Sequence, residues 1–241
     1  MAEPTLNEES QAYVDSEEYA LAVRNTFNDH VNNNPALKAH RDHVEKHAYG
    51  FGERCFLWLW KLIVDEMPPS FRFLEVGVYK GQILSLVRLL ANMADKEATI
   101  YGLTLLSSFG GDGTTFPDED YAAHIRNLHD HFSLVHPLIL HGDSTDPNMQ
   151  ELAEMRGPYD VVFVDGCHDY DYAYKDLTFY PNLVKKGGYL VVDDSACRKK
   201  QPWGFFQGIA SVCEAVASTI ELDPQWEEIF CVVHDRVWRR K

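Results

Sequence analysis

The sequence predicts an α/β fold: a mostly parallel sheet with an antiparallel closing strand, helices on both faces and an N-terminal helical extension. Three observations predict it. From residue 71 onward, short apolar runs alternate with helical stretches, the pattern of repeated strand–helix crossovers. The run YDVVFVDG is wholly apolar from Val161 to Val164, as expected of a strand covered on both sides. The polar residues gather where runs end, which in open α/β sheets is where ligands bind.

The elements follow in order. Residues 1–20 are acidic and polar and read as frayed or only locally ordered. Residues 36–66 read as helical, and Pro68 and Pro69 stop the helix. Residues 1–69 thus form an extension that packs on the main domain, caps a pocket or makes a dimer contact, and residues 70–241 form the domain itself. His40, His43 and His47 recur at helical spacing without the HExxH pattern of zinc sites, and are read as a solvated histidine face. FRFLEVGV is a strand and QILSLVRLLANMA the helix after it; TIYGLTL is a second strand, followed by the glycine-rich loop SSFGGDGTTFPDED, read as a mobile flap. YAAHIRNLHDHF, PLILHGD, NMQELAEM, YDVVFVDG, YDYAYKDLTFYPNLV and GGYLVVDD continue the alternation of helix and strand. A helix over roughly 203–218 leads to IFCVVHD and RVWRRK, which close the sheet as an antiparallel pair.

Composition narrows the function. A chain of 241 residues, 45% hydrophobic and 24% charged, suffices for one globular domain plus an extension. A formal net charge of -15 repels phosphate backbones, so a nucleic-acid partner is not expected. The longest apolar run, near CFLWLW, is too short to span a bilayer, and the N-terminus has no basic and apolar leader pattern. Five cysteines, an odd number with no CxxC pair, fit a reduced, cytoplasmic setting. Cys167, although next to His168, reads as a small packed thiol. A small-molecule substrate is expected, and a homodimer through the N-terminal helix is left open.

Two motifs carry chemistry. In Glu75-Val-Gly77-Val-Tyr79-Lys80-Gly81 an apolar strand runs into a glycine turn and then a helix. Glycines allow close backbone approach to a ligand, and the helix start offers unpaired amides. Glu75 stands where a dinucleotide fingerprint has a glycine; a carboxylate there suits the ammonium of an amino-acid moiety better than a pyrophosphate. That points to S-adenosylmethionine rather than NAD. In the second motif, Asp165, followed by Gly166, Cys167 and His168, ends one buried strand, and Asp193 and Asp194 end the next. Three carboxylates converging at one sheet edge repel one another unless a cation lies among them, and oxygen ligands select a hard ion such as Mg²⁺. The plainer alternative has Asp194 and Ser195 capping the next helix and Asp165 opening a turn.

The series ExGxxxG, GDS, DVVFVDGCHDYDYAYKDL and GGYLVVDD, over about residues 70–197, resembles the metal-dependent class I methyltransferase family that contains macrocin-type sugar O-methyltransferases and cephalosporin-hydroxylase-like proteins. The resemblance implies a Rossmann-like, seven-stranded sheet. It implies Mg²⁺ or a similar divalent cation on Asp165, Asp193 and Asp194, and His168 as general base. Glu75, Gly77, Tyr79 and Gly81 would line the methionine end of S-adenosylmethionine, with Asp165 bordering it. Asp143 and Ser144 would contact the adenine. The cation would bind two substrate oxygens of a diol or catechol, and His168 would take the proton. The chain departs from the family at its second strand, which ends in Thr104 instead of the acidic residue that grips the ribose; Thr104 or Ser107, or Asp112 or Asp118 from the loop, is the remaining partner. The expected activity is O-methylation of a small polar or glycosylated metabolite. A metal-dependent hydroxylase-like, lyase or hydrolase activity on the same fold is the alternative, and a non-catalytic binding subunit a third.

Overall fold

Each parallel strand is followed by a helix that returns the chain to the same sheet edge, and this repeat builds the molecule. The computed structural model describes residues 16–111, 114–200 and 202–241. The strands are β1 (Ser70–Val76), β2 (Glu97–Thr104), β5 (Leu138–His141), β6 (Tyr159–Val164), β7 (Val184–Val192), β8 (Trp226–Val232) and β9 (Asp235–Arg240), with a separate hairpin of β3 (Phe109–Gly111) and β4 (Thr114–Thr115). The seven-stranded sheet has the order β5-β2-β1-β6-β7-β9-β8. Pairings from β5 through β7 are parallel, whereas β9 runs antiparallel to both β7 and β8. The fold is therefore the Rossmann-like, mostly parallel sheet with antiparallel closure expected from the sequence. Strand order reverses beside β1, so the crevice beyond β1 and β6 is the natural ligand site.

Two apolar cores sandwich the sheet. One holds Phe73, Val161, Phe163 and Val191 against the N-terminal helices and the helix after β1; the other holds Leu74, Val162, Leu190 and Trp238 against the helices after β6 and β7. Alternate residues of one strand thus serve opposite cores, as the pleat requires.

The N-terminal extension is more helical than the sequence reading allowed. Residues 1–15 lie outside the described residues, but α1 (Glu17–Asn33) begins at Ser16, whose hydroxyl accepts the Tyr19 amide, and buries Ala20, Val23, Phe27 and Val31 along one stripe. The single helix expected over 36–66 is two, α2 (Pro35–His47) and α3 (Phe56–Glu66). The break follows from Ala48 and Gly52, both at positive φ, and from Arg41, which donates to the Gly52 carbonyl at 2.7 Å. The turn carries Tyr49 and Phe51 toward the sheet edge. The histidine face also needs correction. His47 is exposed, but His43 is half-buried and stacks on His131 at 3.7 Å, and His40 is fully buried with Nε2 2.8 Å from Ser85 Oγ. The stripe that was read as solvated packs against α5 (Tyr121–His131), because imidazole rings stack on aromatic neighbours as readily as they meet water.

The remaining helices are α4 (Gln82–Met93), α6 (Pro147–Arg156), α7 (Tyr170–Phe179) and α8 (Ala210–Ser218). The last is shorter than the 203–218 expected, since the chain first bridges back from Gly208 to Ser195. That return places Cys197 and Cys213 6.1 Å apart at Cα, and they form a disulfide. This pair departs from the reduced setting expected from the cysteine count; Cys55, Cys167 and Cys231 form no disulfide. No helix among the described residues is long and apolar enough to cross a membrane.

Two measurements check this packing. Trp60 of α3 is fully buried and meets Phe73 and Phe163 edge-on at 5.6 and 5.1 Å. Trp60→Ala is expected to lower the unfolding free energy by about 3–5 kcal/mol in denaturant titration; a loss under about 1 kcal/mol would show that the extension does not share the sheet's core. Burial, with Arg41, His129 and His43 nearby, holds the His40 imidazole down to about 3. Its folded value is below its unfolded one, so the contribution is complete above about pH 6.5 and is lost as pH falls toward 3. Unfolding free energy should fall with acidification in that window by up to about 1.4 kcal/mol per pH unit from this group, and His40→Asn should flatten the slope.

Candidate functional site

The glycine turn after β1 is shaped by one close approach. Gly77 has φ +92°, its amide donates to the Leu103 carbonyl at 2.9 Å, and a Cβ there would lie 2.0 Å from the Asp165 carbonyl oxygen. Only glycine lets the ends of β1 and β6 come so near. Gly81, at φ +85°, then starts α4. Above these strand ends lie two cavities. The larger, about 400 Å³, is lined by Glu75, Asp165, Asp193 and Asp194 on its floor and by Tyr49, Phe51, Phe116 and Phe206 on its walls. The smaller, about 190 Å³, runs over Gly77, Thr104, Asp143 and Ser144. Tyr79, Asp165 and His168 border both, so the two spaces meet at those residues.

Nearly every residue expected at the site is therefore brought to this edge. Glu75 is buried, and its Oε2 has no hydrogen-bond partner. Burial raises its carboxyl well above the ordinary range, only partly offset by the Leu84 amide. A buried acid of this kind awaits a cation, and an ammonium group would meet that need. Thr104 behaves differently from the expectation. Its hydroxyl donates to the Val78 carbonyl at 2.9 Å and accepts the Leu106 amide at 3.1 Å, so its donor is spent on the turn after β2. Of the loop acids considered as substitutes, Asp118 is exposed and Asp112 lies outside the described residues. Ser107, however, lines the smaller cavity.

Asp143 and Ser144 are held firmly. Asp143 Oδ1 accepts from the Thr145 amide and hydroxyl at 2.8 and 2.9 Å, while the Ser144 hydroxyl donates to Asp176 Oδ2 at 3.1 Å. Asp176, on α7, was not anticipated. Its carboxyl is pushed up to about 7 by burial, the Ser144 bond acting against the rise. The only hint in the sequence is an acidic residue on the otherwise apolar side of that helix.

The carboxylates are crowded. Burial drives Asp165 well above its usual range, and Asp193, Asp194 and Glu75 add repulsion. Burial also works against ionised Asp193, but a hydrogen bond from Asp235, the neighbouring His234 and the Asp194 amide hold its carboxyl below the usual range. His168 Nε2 lies 3.3 Å from Asp194 Oδ2. His234 and Asp235, from the turn between β8 and β9, belong to the cluster and went unrecognised in the sequence. Their signal was a polar pair inside the apolar hairpin CVVHDRVW; the pairing of β9 with β7 was needed to say where it points. The donors present, carboxylates with an imidazole, fit a divalent cation. Tyr49, Phe51 and Phe206 line the larger cavity, whereas Trp58 stacks on His30 at 4.5 Å, Phe205 packs under Arg24, and Trp203 is 99% exposed.

Comparison with known proteins agrees with this architecture. The family model described as a methyltransferase domain matches residues 74–195. No curated protein matches the chain. Among solved structures, a Staphylococcus aureus protein provisionally described as a caffeoyl-CoA O-methyltransferase is similar at TM-score 0.64 and 14% identity, covering 92% of this chain and 99% of the other. SAH-bound PaMTH1 of Podospora anserina is similar at TM-score 0.61 and 19% identity, over 94% and 97%. The methyltransferase MycE, solved with Mg, SAH and mycinamycin VI, is similar at TM-score 0.55 and 18% identity; 86% of this chain is covered but only 55% of MycE. At these identities the structures share the fold. The family match spans half the chain and runs from β1 to the end of β7, so the chain belongs to the methyltransferase-domain family and is a methyltransferase.

Proposed function

We propose that this methyltransferase uses S-adenosylmethionine and a divalent cation, Mg²⁺ or similar, to methylate a hydroxyl of a small polar or glycosylated metabolite. The observation that carries the reading is the meeting of the two cavities at Asp165 and His168, with a buried carboxylate, Glu75, beneath one of them. S-Adenosylmethionine supplies the electrophilic methyl, and a cation on Asp165, Asp193 and Asp194 supplies the charge that acidifies the acceptor hydroxyl.

Glu75 pairs with the ammonium of the methionine moiety, and the glycine turn from Gly77 to Gly81 gives its carboxylate access to backbone amides. Asp143 and Ser144 form the wall on the adenosine side, and Tyr79 closes the space between cofactor and acceptor. His168 accepts the hydroxyl proton, and Asp194, 3.3 Å from Nε2, stabilises the resulting imidazolium. The aromatic walls exclude water and hold the acceptor for in-line attack, so catalysis is chiefly positioning.

Calorimetry with S-adenosylmethionine and S-adenosylhomocysteine is the direct test: both are expected to bind, and no heat with either would sink the proposal. Glu75→Gln should weaken cofactor binding by roughly 10- to 100-fold, the value of a charge-assisted hydrogen bond. Asp165→Ala should abolish cation-dependent turnover while preserving the circular dichroism spectrum; turnover that survives chelator would refute the cation's part.

A further inference from the structure

The closing strand brings new ligand atoms to the acidic cluster. Strands β7 and β9 are antiparallel, and their last pair is Val192 with Arg236. Continuing that register sets Asp193 opposite Asp235 and Asp194 opposite His234, and the Ser195 amide duly donates to the His234 carbonyl at 3.0 Å. The turn that delivers them is tight: Val232 pairs with Asp235, and Val233 between them is at φ +53°. As a result Asp193, His234 and Asp235 each place a potential ligand atom within 4.8 Å of the others. His234 Nε2 is 3.2 Å from Asp193 Oδ1 and 3.8 Å from Asp194 Oδ1. Phe56 and Phe206 meet the imidazole edge-on at 4.7 and 5.1 Å and fix its plane.

A second observation points to a ligand. Asp235 is 2% exposed and its Oδ1 has no hydrogen-bond partner; His234 is 6% exposed and its Nδ1 has none. Both residues line the larger cavity. Burying such atoms without partners is costly, and Asp193 and Asp235 lie in hydrogen-bond contact, an arrangement that needs a shared proton or a cation. The ion pairs of the adjacent Arg236 are with Glu221 and Glu228.

We infer that the cation seat of this protein extends to the β8–β9 turn, with His234 as a nitrogen ligand beside Asp193 and Asp235, and that it selects a borderline transition ion over Mg²⁺. The inference deepens the cation part of the proposed function and needs nothing from the cofactor part. Its chemistry is simple. Mg²⁺ holds to oxygen ligands and water, whereas imidazole nitrogen suits Co²⁺, Zn²⁺ and their neighbours. Replacing one oxygen donor by nitrogen shifts the preference from the first class to the second. The three residues come from two strand ends of one sheet, so the seat is fixed by backbone pairing rather than by a loop.

The test uses the full chain, stripped with chelator and without cofactor, titrated separately with Co²⁺ and Mg²⁺ by calorimetry. The visible absorption of bound Co²⁺ reports its ligands. Co²⁺ is expected to bind tighter than Mg²⁺ by roughly tenfold or more. His234→Gln should remove most of that preference and change the Co²⁺ spectrum, while moving Mg²⁺ affinity little. Asp235→Asn, which keeps the side-chain shape, should also weaken Co²⁺ binding, and it serves if His234→Gln fails to fold. Equal affinities for the two ions in the unaltered protein would overturn the inference, as would a His234→Gln protein with unchanged Co²⁺ affinity and spectrum. Failure of S-adenosylmethionine to bind would sink the proposed reaction but leave these titrations intact, so the two failures are distinguishable.

Discussion

Like charges held together out of water are the constraint around which this protein is arranged. Glu75, Asp165, Asp193, Asp194 and Asp235 converge on one cavity floor, and burial and mutual repulsion drive several of them toward the protonated form. A fold tolerates such a cluster only if the backbone beneath is rigid and if positively charged groups enter when the site works. The sheet provides the first condition. Parallel pairing of β1 with β6 and of β6 with β7 sets three strand ends side by side, and β9 adds a fourth from the opposite direction. The ammonium of a cofactor and a divalent cation would provide the second.

The glycine turn is subordinate to the same constraint. Gly77 permits the Asp165 carbonyl to lie almost on the backbone of the turn. Without that approach Asp165 would stand farther from Glu75. Behind the turn, Asp176 and Ser144 form a partly buried polar contact that fixes the opposite wall. Close backbone approach on one side and this hydrogen bond on the other thus tie down both walls of the cavities.

Much of this was legible in the sequence, for identifiable reasons. The alternation from residue 71 onward gave the strands, because buried parallel strands have no polar face to blur the signal. Asp165, Asp193 and Asp194 could be placed at one sheet edge because they end strands, and Glu75 stands out because a glycine is otherwise expected there. Other features depended on tertiary pairing. His234 and Asp235 become site residues only through the register of β9 against β7, which no local pattern contains. The helix of residues 17–33 is hard to read in the sequence because an acidic, polar composition masks its apolar stripe of Ala20, Val23, Phe27 and Val31. The burial of His40 is invisible in the sequence because helical spacing states which residues share a face, not what that face meets. Thr104 was legible as a departure, but its commitment to the Val78 carbonyl was not. The disulfide between Cys197 and Cys213 depends on a return of the chain that composition cannot reveal.

The larger cavity also divides labour along the chain. Its acidic floor comes mostly from the span that matches the methyltransferase-domain family, residues 74–195. Tyr49, Phe51 and Phe56 in its walls precede that span, and Phe206 follows it. Most of the acidic floor and most of the aromatic wall thus lie on different stretches of the chain, with Phe116 and the His234–Asp235 pair crossing that division. In the proposed reaction, a change at Tyr49, Phe51 or Phe206 would reshape the space for the acceptor while leaving Glu75, Asp165 and His168 in place.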